Sequence, residues 1–195
     1  MKKRLLIVCF GVLVITAQLI AQEKPIMGYG KVVWGTSVDD VKKAYNIGDD
    51  VVAAADPNDD PNVIKMTQTE VSDTISKRIF LFIDDKLYRV YVIYTDVTDV
   101  NASNLESALE SIYGKKTDVD RQTQQGSIAF KVIYYKTNTI IFGEYEPELE
   151  VKLFYERVYG EIDEKNKDLL DSNQLWVCYT WKKFRDEYQT KKLEL

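Results

Sequence analysis

The chain has 195 residues, with 26 Lys and Arg against 31 Asp and Glu, two Cys and no His, for a formal net charge of −5. The missing imidazole excludes Ser–His and Cys–His nucleophile systems, a His general base and His-containing zinc sites, and the acidic balance argues against nucleic acid as a partner. A 45% hydrophobic and 12% aromatic content argues against a disordered chain, because that much apolar surface offsets the entropy of ordering.

Met1-Lys2-Lys3-Arg4 is basic, residues 5–20 are apolar apart from Gly11, Thr16 and Gln18, and Ala21-Gln22 leads into Glu23-Lys24-Pro25. That order is the order of a secretory signal peptide. Cleavage is expected after Ala21, with Leu19 at the −3 position, and the chain is expected to be exported to a bacterial periplasm or beyond. The competing reading is an uncleaved anchor, since the uncharged stretch approaches the roughly 20 residues that cross a bilayer; membrane contact is expected only in that case. Cys9 lies mid-run behind Val8, so lipidation is not expected there. Loss of residues 1–21 removes Lys2, Lys3 and Arg4, leaving 23 basic against 31 acidic residues and a balance of −8. Cys178 then stands alone, which excludes an intramolecular disulfide. Residues 22–195 have the length of one domain.

Val32-Val33-Trp34 reads as a short strand, and Ser37 with Asp40 forms a capping box for a helix that buries Val38, Val41, Ala44 and Tyr45 and ends at Gly48. Residues 49–62, rich in Asp, Asn and Pro, read as a loop. Strands are expected at 63–71, 78–83 and 87–95, the last two dense in β-branched and aromatic residues and joined by a tight turn at Asp84-Asp85-Lys86. A second helix is expected from Ser103, boxed with Glu106, with Leu105, Ala108, Leu109, Ile112 and Tyr113 on one face and Gly114 as its stop. Three further strands are expected at 127–135, 139–145 and 149–158; in the last, Leu149, Val151, Leu153 and Tyr155 alternate with Glu150, Lys152 and Glu156. Residues 161–195 read as a helical extension, with a helix over 174–188 carrying Val177, Trp181, Phe184 and Tyr188 at helical spacing. The fold class is therefore α+β: an antiparallel sheet with helices on one face and a C-terminal helix. The order helix and three strands occurs twice, over 28–96 and 101–158, as a tandem αβββ duplication would produce.

Trp34-Gly35-Thr36-Ser37 followed by Val41-Lys42-Lys43 resembles the W-G-x-S-x-x-x-V-K opening of small exported bacterial proteins of unknown function. Those resemble in fold the outer-membrane assembly lipoprotein BamE and the β-lactamase inhibitor protein. The resemblance implies helices on one face of an antiparallel sheet and an envelope location. It implies no functional residues.

Several residue groups invite chemistry. Asp56, Asn58 and Asp60 have the spacing that opens a calcium loop, but Pro61 and Thr67 stand where Gly and Glu belong, so a solvated loop is the better reading. Glu144, Glu146, Glu148 and Glu150 crowd one hairpin, and paired carboxylates can act as acid and base; exposed charges that discourage edge association explain them as well. Cys178, among Val177, Tyr179 and Trp181, reads as an inert packed thiol. Trp176, Tyr179, Trp181, Phe184 and Tyr188 concentrate aromatic surface near the C-terminus, either as a partner-binding surface or as a core-facing stripe. No dinucleotide fingerprint, phosphate loop, nucleophile elbow or C-x-x-C occurs, and no cofactor is expected. The expected function is non-enzymatic: an exported domain that binds another envelope protein through its sheet or its C-terminal aromatics. The alternative is a small-ligand binder or hydrolase-type enzyme using carboxylate and Tyr side chains.

Overall fold

The computed structural model describes residues 28–51, 53–55, 60–128, 131–142, 148–160, 162 and 164–193; the expected signal segment lies outside them. Strands β1 (Gly28–Tyr29) and β2 (Val32–Val33) form a small hairpin before helix α1 (Val38–Tyr45). Then follow β3 (Ala54–Ala55), β4 (Val63–Thr69), β5 (Ile75–Ile83) and β6 (Lys86–Tyr94). Helix α2 (Asp99–Tyr113) leads to β7 (Lys116–Ile128), β8 (Lys131–Phe142) and β9 (Leu149–Gly160). A 3-10 helix (Glu164–Ser172), β10 (Gln174–Trp181) and helix α3 (Lys182–Leu193) complete the chain. The α+β class is as the sequence indicates.

Local chemistry sets most boundaries. Ser37 caps α1 by accepting from the Asp40 N–H at 3.3 Å, and the helix stops at Asn46, in the left-handed region with φ 53°, two residues before the expected Gly48. Asp84 and Asp85 both have positive φ, 51° and 57°, the conformation of a two-residue hairpin turn whose twist matches its strands. Helix α2 starts earlier than the Ser103 box: Thr98 is the cap and accepts from the Asn101 N–H at 3.2 Å. Ser103 lies inside the helix, and Glu106 bonds Lys116 and Arg121 at 2.7 and 2.6 Å instead of the backbone. Gly114 ends the helix as expected, at φ 80°.

Two expectations are corrected. The segments 127–135 and 139–145 are not successive strands; β8 runs unbroken across most of both, and its partner β7 takes in 127–128 together with the polar stretch 116–126, where no strand is expected. The residues joining β7 and β8 lie outside those described. The expected helix over 174–188 is a strand followed by a helix. Residues 174–181 are Gln-Leu-Trp-Val-Cys-Tyr-Thr-Trp, a β-favouring run, and Leu175 and Val177 are fully buried on one side of it. The Val177, Trp181, Phe184, Tyr188 spacing spans the junction by coincidence.

One sheet has the order β3-β4-β5-β6-β10-β9-β8-β7, and every neighbouring pair is antiparallel. The last strand in sequence is thus central, inserted between β6 and β9. Register places Phe80, Val90, Val92, Val177, Leu153 and Ile140 on one face. That face carries both main cores: α2 packs through Ala102 and Leu109 on Ile140, Val151, Leu153 and Val177, and α1 packs through Val41 on Met66, Phe80, Val90 and Val92. Trp34, Tyr94 and Tyr179 touch both clusters and join them. Both helices therefore lie on one face. A smaller cluster on the opposite face, Val63, Leu81, Ile83 and Tyr88, is covered by Phe184 and Tyr188 of α3.

The order helix and three strands does recur. Both triplets run from an outer strand inward, β4 to β6 and β7 to β9, and end beside β10. With both helices on the same face the triplets have opposite hand, so no rotation superposes one on the other. The recurrence is one of order along the chain.

Candidate partner-binding surface

Strand alternation distributes the five C-terminal aromatics over both faces. Tyr179 points to the helix face, where its ring meets Tyr29 at 5.1 Å and Tyr113 at 6.0 Å. Trp181 stacks on Phe184 at 4.9 Å, and the Tyr188 hydroxyl donates to Asp60 at 3.0 Å. Those three residues help to seat α3 on the sheet. Only Trp176 stands apart from the packed clusters. A truncation before Gln174 would remove the central strand; one before Lys182 spares it.

Trp176 does not stand alone. Across the sheet it lies opposite Phe154 of β9, and the two rings stack at 4.8 Å and 19°. Tyr91 of β6 meets the other side of the indole edge-on, at 5.6 Å and 74°. Trp176 and Phe154 belong to none of the buried clusters, and all three rings are half-buried on the face free of α1 and α2. Lys152 and Glu156 of β9 share that face with Phe154. Phe154 and Tyr91 escape the sequence reading, yet one signal exists: Phe154 occupies a wet-face position in the alternating strand 149–158, between Lys152 and Glu156. A large aromatic on the polar side of a half-buried strand has no core to fill.

A polar cluster borders the aromatic trio. The Arg89 guanidinium donates to the Thr180 hydroxyl at 3.1 Å and to the Tyr91 hydroxyl at 3.4 Å. The Cys178 sulfur lies 3.5 Å from that Thr180 hydroxyl. The thiol is 6% exposed, and burial pushes its pKa up. A thiol held protonated is a poor nucleophile, in keeping with a packing role.

Of the remaining candidates, the described ones, Glu148, Glu150 and Asp60, are engaged structurally. Glu148 accepts from Lys183 at 3.1 Å and Glu150 from Arg185 at 2.9 Å, both bonds holding α3; Glu144 and Glu146 lie outside the described residues. Asp60 accepts from Lys192 at 2.8 Å and from Tyr188, which ties the far end of α3 to the loop before β4. Asp56 and Asn58 lie outside the described residues.

On the helix face Tyr29, Tyr94, Tyr113 and Tyr179 cluster between α1 and α2. Burial raises the pKa of each; Tyr94 and Tyr113 are pushed up to about 12. The folded chain therefore keeps protons that the unfolded chain releases near pH 10. This contribution to stability is fully present below about pH 10 and is lost as the pH climbs through about 12. Absorbance at 295 nm from these rings should rise together with loss of the circular dichroism of the sheet. Ionisation near pH 10 with the sheet intact would contradict the buried cluster.

No protein-family model, curated protein or solved structure matches the chain.

Proposed function

We propose that the chain is an exported, non-enzymatic binding protein that holds another envelope protein against the face of its sheet opposite α1 and α2, beside α3. The observation that carries this reading is the half-exposed stack of Tyr91, Trp176 and Phe154. Aromatic rings ringed by polar groups are the composition of interface hot spots. The stack sits on three adjacent strands, β6, β10 and β9, so its geometry is held by backbone pairing. It needs no ordering on binding, which removes an entropic cost of association. The commitment of Glu148 and Glu150 to α3 weighs against the alternative in which carboxylates act as acid and base. The basic and apolar N-terminal segment supports export, and the envelope location supplies the class of partner.

The experiment is isolation of the affinity-tagged chain from the envelope fraction of producing cells. An intact mass lacking residues 1–21, with an envelope protein recovered in fixed ratio, is the expected result. Recovery from the cytoplasm with the N-terminus intact would reject export, and unchanged partner recovery with Phe154→Ser would reject the sheet face.

A further inference from the structure

We propose that two copies of this chain associate edge to edge through β7, forming one continuous antiparallel sheet about a two-fold axis at Gln122. Strand β7 is the last in the sheet and 13 residues long. Among the described residues no strand pairs with its outer edge. Residues 117–125 are exposed throughout. A free edge presents a row of unpaired N–H and C=O groups, which is a template for another strand.

The usual protections are weak at this edge. The opposite edge is closed by β3, a strand of two residues. In β7 the only irregularity of pairing with β8 lies between Lys116 and Asp118, at the very start. No Pro occurs from 116 to 128, and the middle of the strand, Gln122-Thr123-Gln124-Gln125, carries no charge. The nearest charges are already partnered: Arg121 donates to Glu106 at 2.6 Å, and Asp120 accepts from the Gln122 amide at 3.1 Å.

The strand is complementary to itself in one register. Gln122 is the midpoint of 116–128, so full antiparallel overlap sets Gln122 opposite its own copy. Asp120 then faces Gln124, Arg121 faces Thr123 and Val119 faces Gln125. No like charges stand directly opposite, and directly opposed like charges are what destabilise a strand pair. Sliding the copies one face-preserving step toward the N-terminus sets Arg121 against Arg121; the next step sets Asp120 against Asp120. Sliding the other way shortens the overlap. Room also exists for the helices. Helix α2 packs on β8 and β9, so at about 4.8 Å per strand it would lie roughly 19 Å from its copy, well beyond the ~8–10 Å of helices in contact.

The test is the molar mass of the isolated protein by light scattering, for the wild type and for Gln122→Lys and Gln122→Glu. The wild type is expected at twice the mass of one chain, each variant at the mass of one, and an equimolar mixture of the variants at twice again. Because Gln122 is exposed, the variants should keep the circular dichroism of the wild type. Amide exchange adds an independent readout: in the wild type the outward amides of β7 should exchange about tenfold or more slowly than in either variant. A wild type with the mass of one chain overturns the proposal, as do variants that stay paired. Variants that separate but fail to pair on mixing overturn the register.

Discussion

Replacing Phe80 by Ala is expected to lower the free energy of unfolding by about 3–5 kcal/mol, the range for removing a buried ring that its surroundings cannot refill. Phe80 is fully buried in the cluster that joins α1 to β4, β5 and β6. Its ring meets Tyr45 of α1 at 5.3 Å, and Val90 and Met66 stand directly opposite on the flanking strands. Neighbours held by two strand ladders and a capped helix have little freedom to close the gap. A loss of this size is a large fraction of the ~5–15 kcal/mol by which domains are stable. Urea unfolding checks it, through a lower midpoint with an unchanged slope. A shift under about 1 kcal/mol would mean that α1 does not pack as described.

Trp176→Ala is expected to act in the opposite sense, on binding more than on folding. The indole is half-buried and, among the described residues, its ring contacts are with Phe154 and Tyr91. Its removal should cost about 1–2 kcal/mol of stability from lost stacking and area. Truncation of a central interface aromatic typically costs about 2 kcal/mol or more of binding, which is roughly a thirty-fold loss of affinity. The pair of variants separates two roles. Phe80→Ala should unfold the chain more readily yet leave the affinity of the folded fraction unchanged; Trp176→Ala should lower that affinity while destabilising the fold less than Phe80→Ala does. Equal affinity for wild type and Trp176→Ala would remove the aromatic stack from the binding surface.

The parts of the fold legible in the sequence are those where one local rule operates unopposed. The hairpin at Asp84-Asp85 could be read because two turn-forming residues separate two β-branched and aromatic runs. The 149–158 alternation was readable because one face of β9 is buried under α2 and the other is wet. Strand β7 was illegible for a physical reason: an edge strand exposed on both faces has no burial to impose a period of two. Strand β10 failed differently. Its buried Leu175 and Val177 do alternate, but Trp176 adds an aromatic to the other face and Phe184 and Tyr188 extend a spurious helical spacing past Trp181. The aromatic stack was illegible for the same reason. Only when β10 is placed between β6 and β9 do Tyr91, Trp176 and Phe154, distant in sequence, become neighbours.

Site-specific photo-crosslinking in the producing cells tests the binding face most directly. A photoreactive residue at position 152 lies beside Phe154 on the face opposite α1 and α2, and one at Asp39 lies on the exposed side of α1. A partner held on the sheet gives a discrete adduct from position 152 and none from position 39, and the adduct fades with Trp176→Ala. An adduct from position 39 alone, or from neither position, would contradict binding through this face.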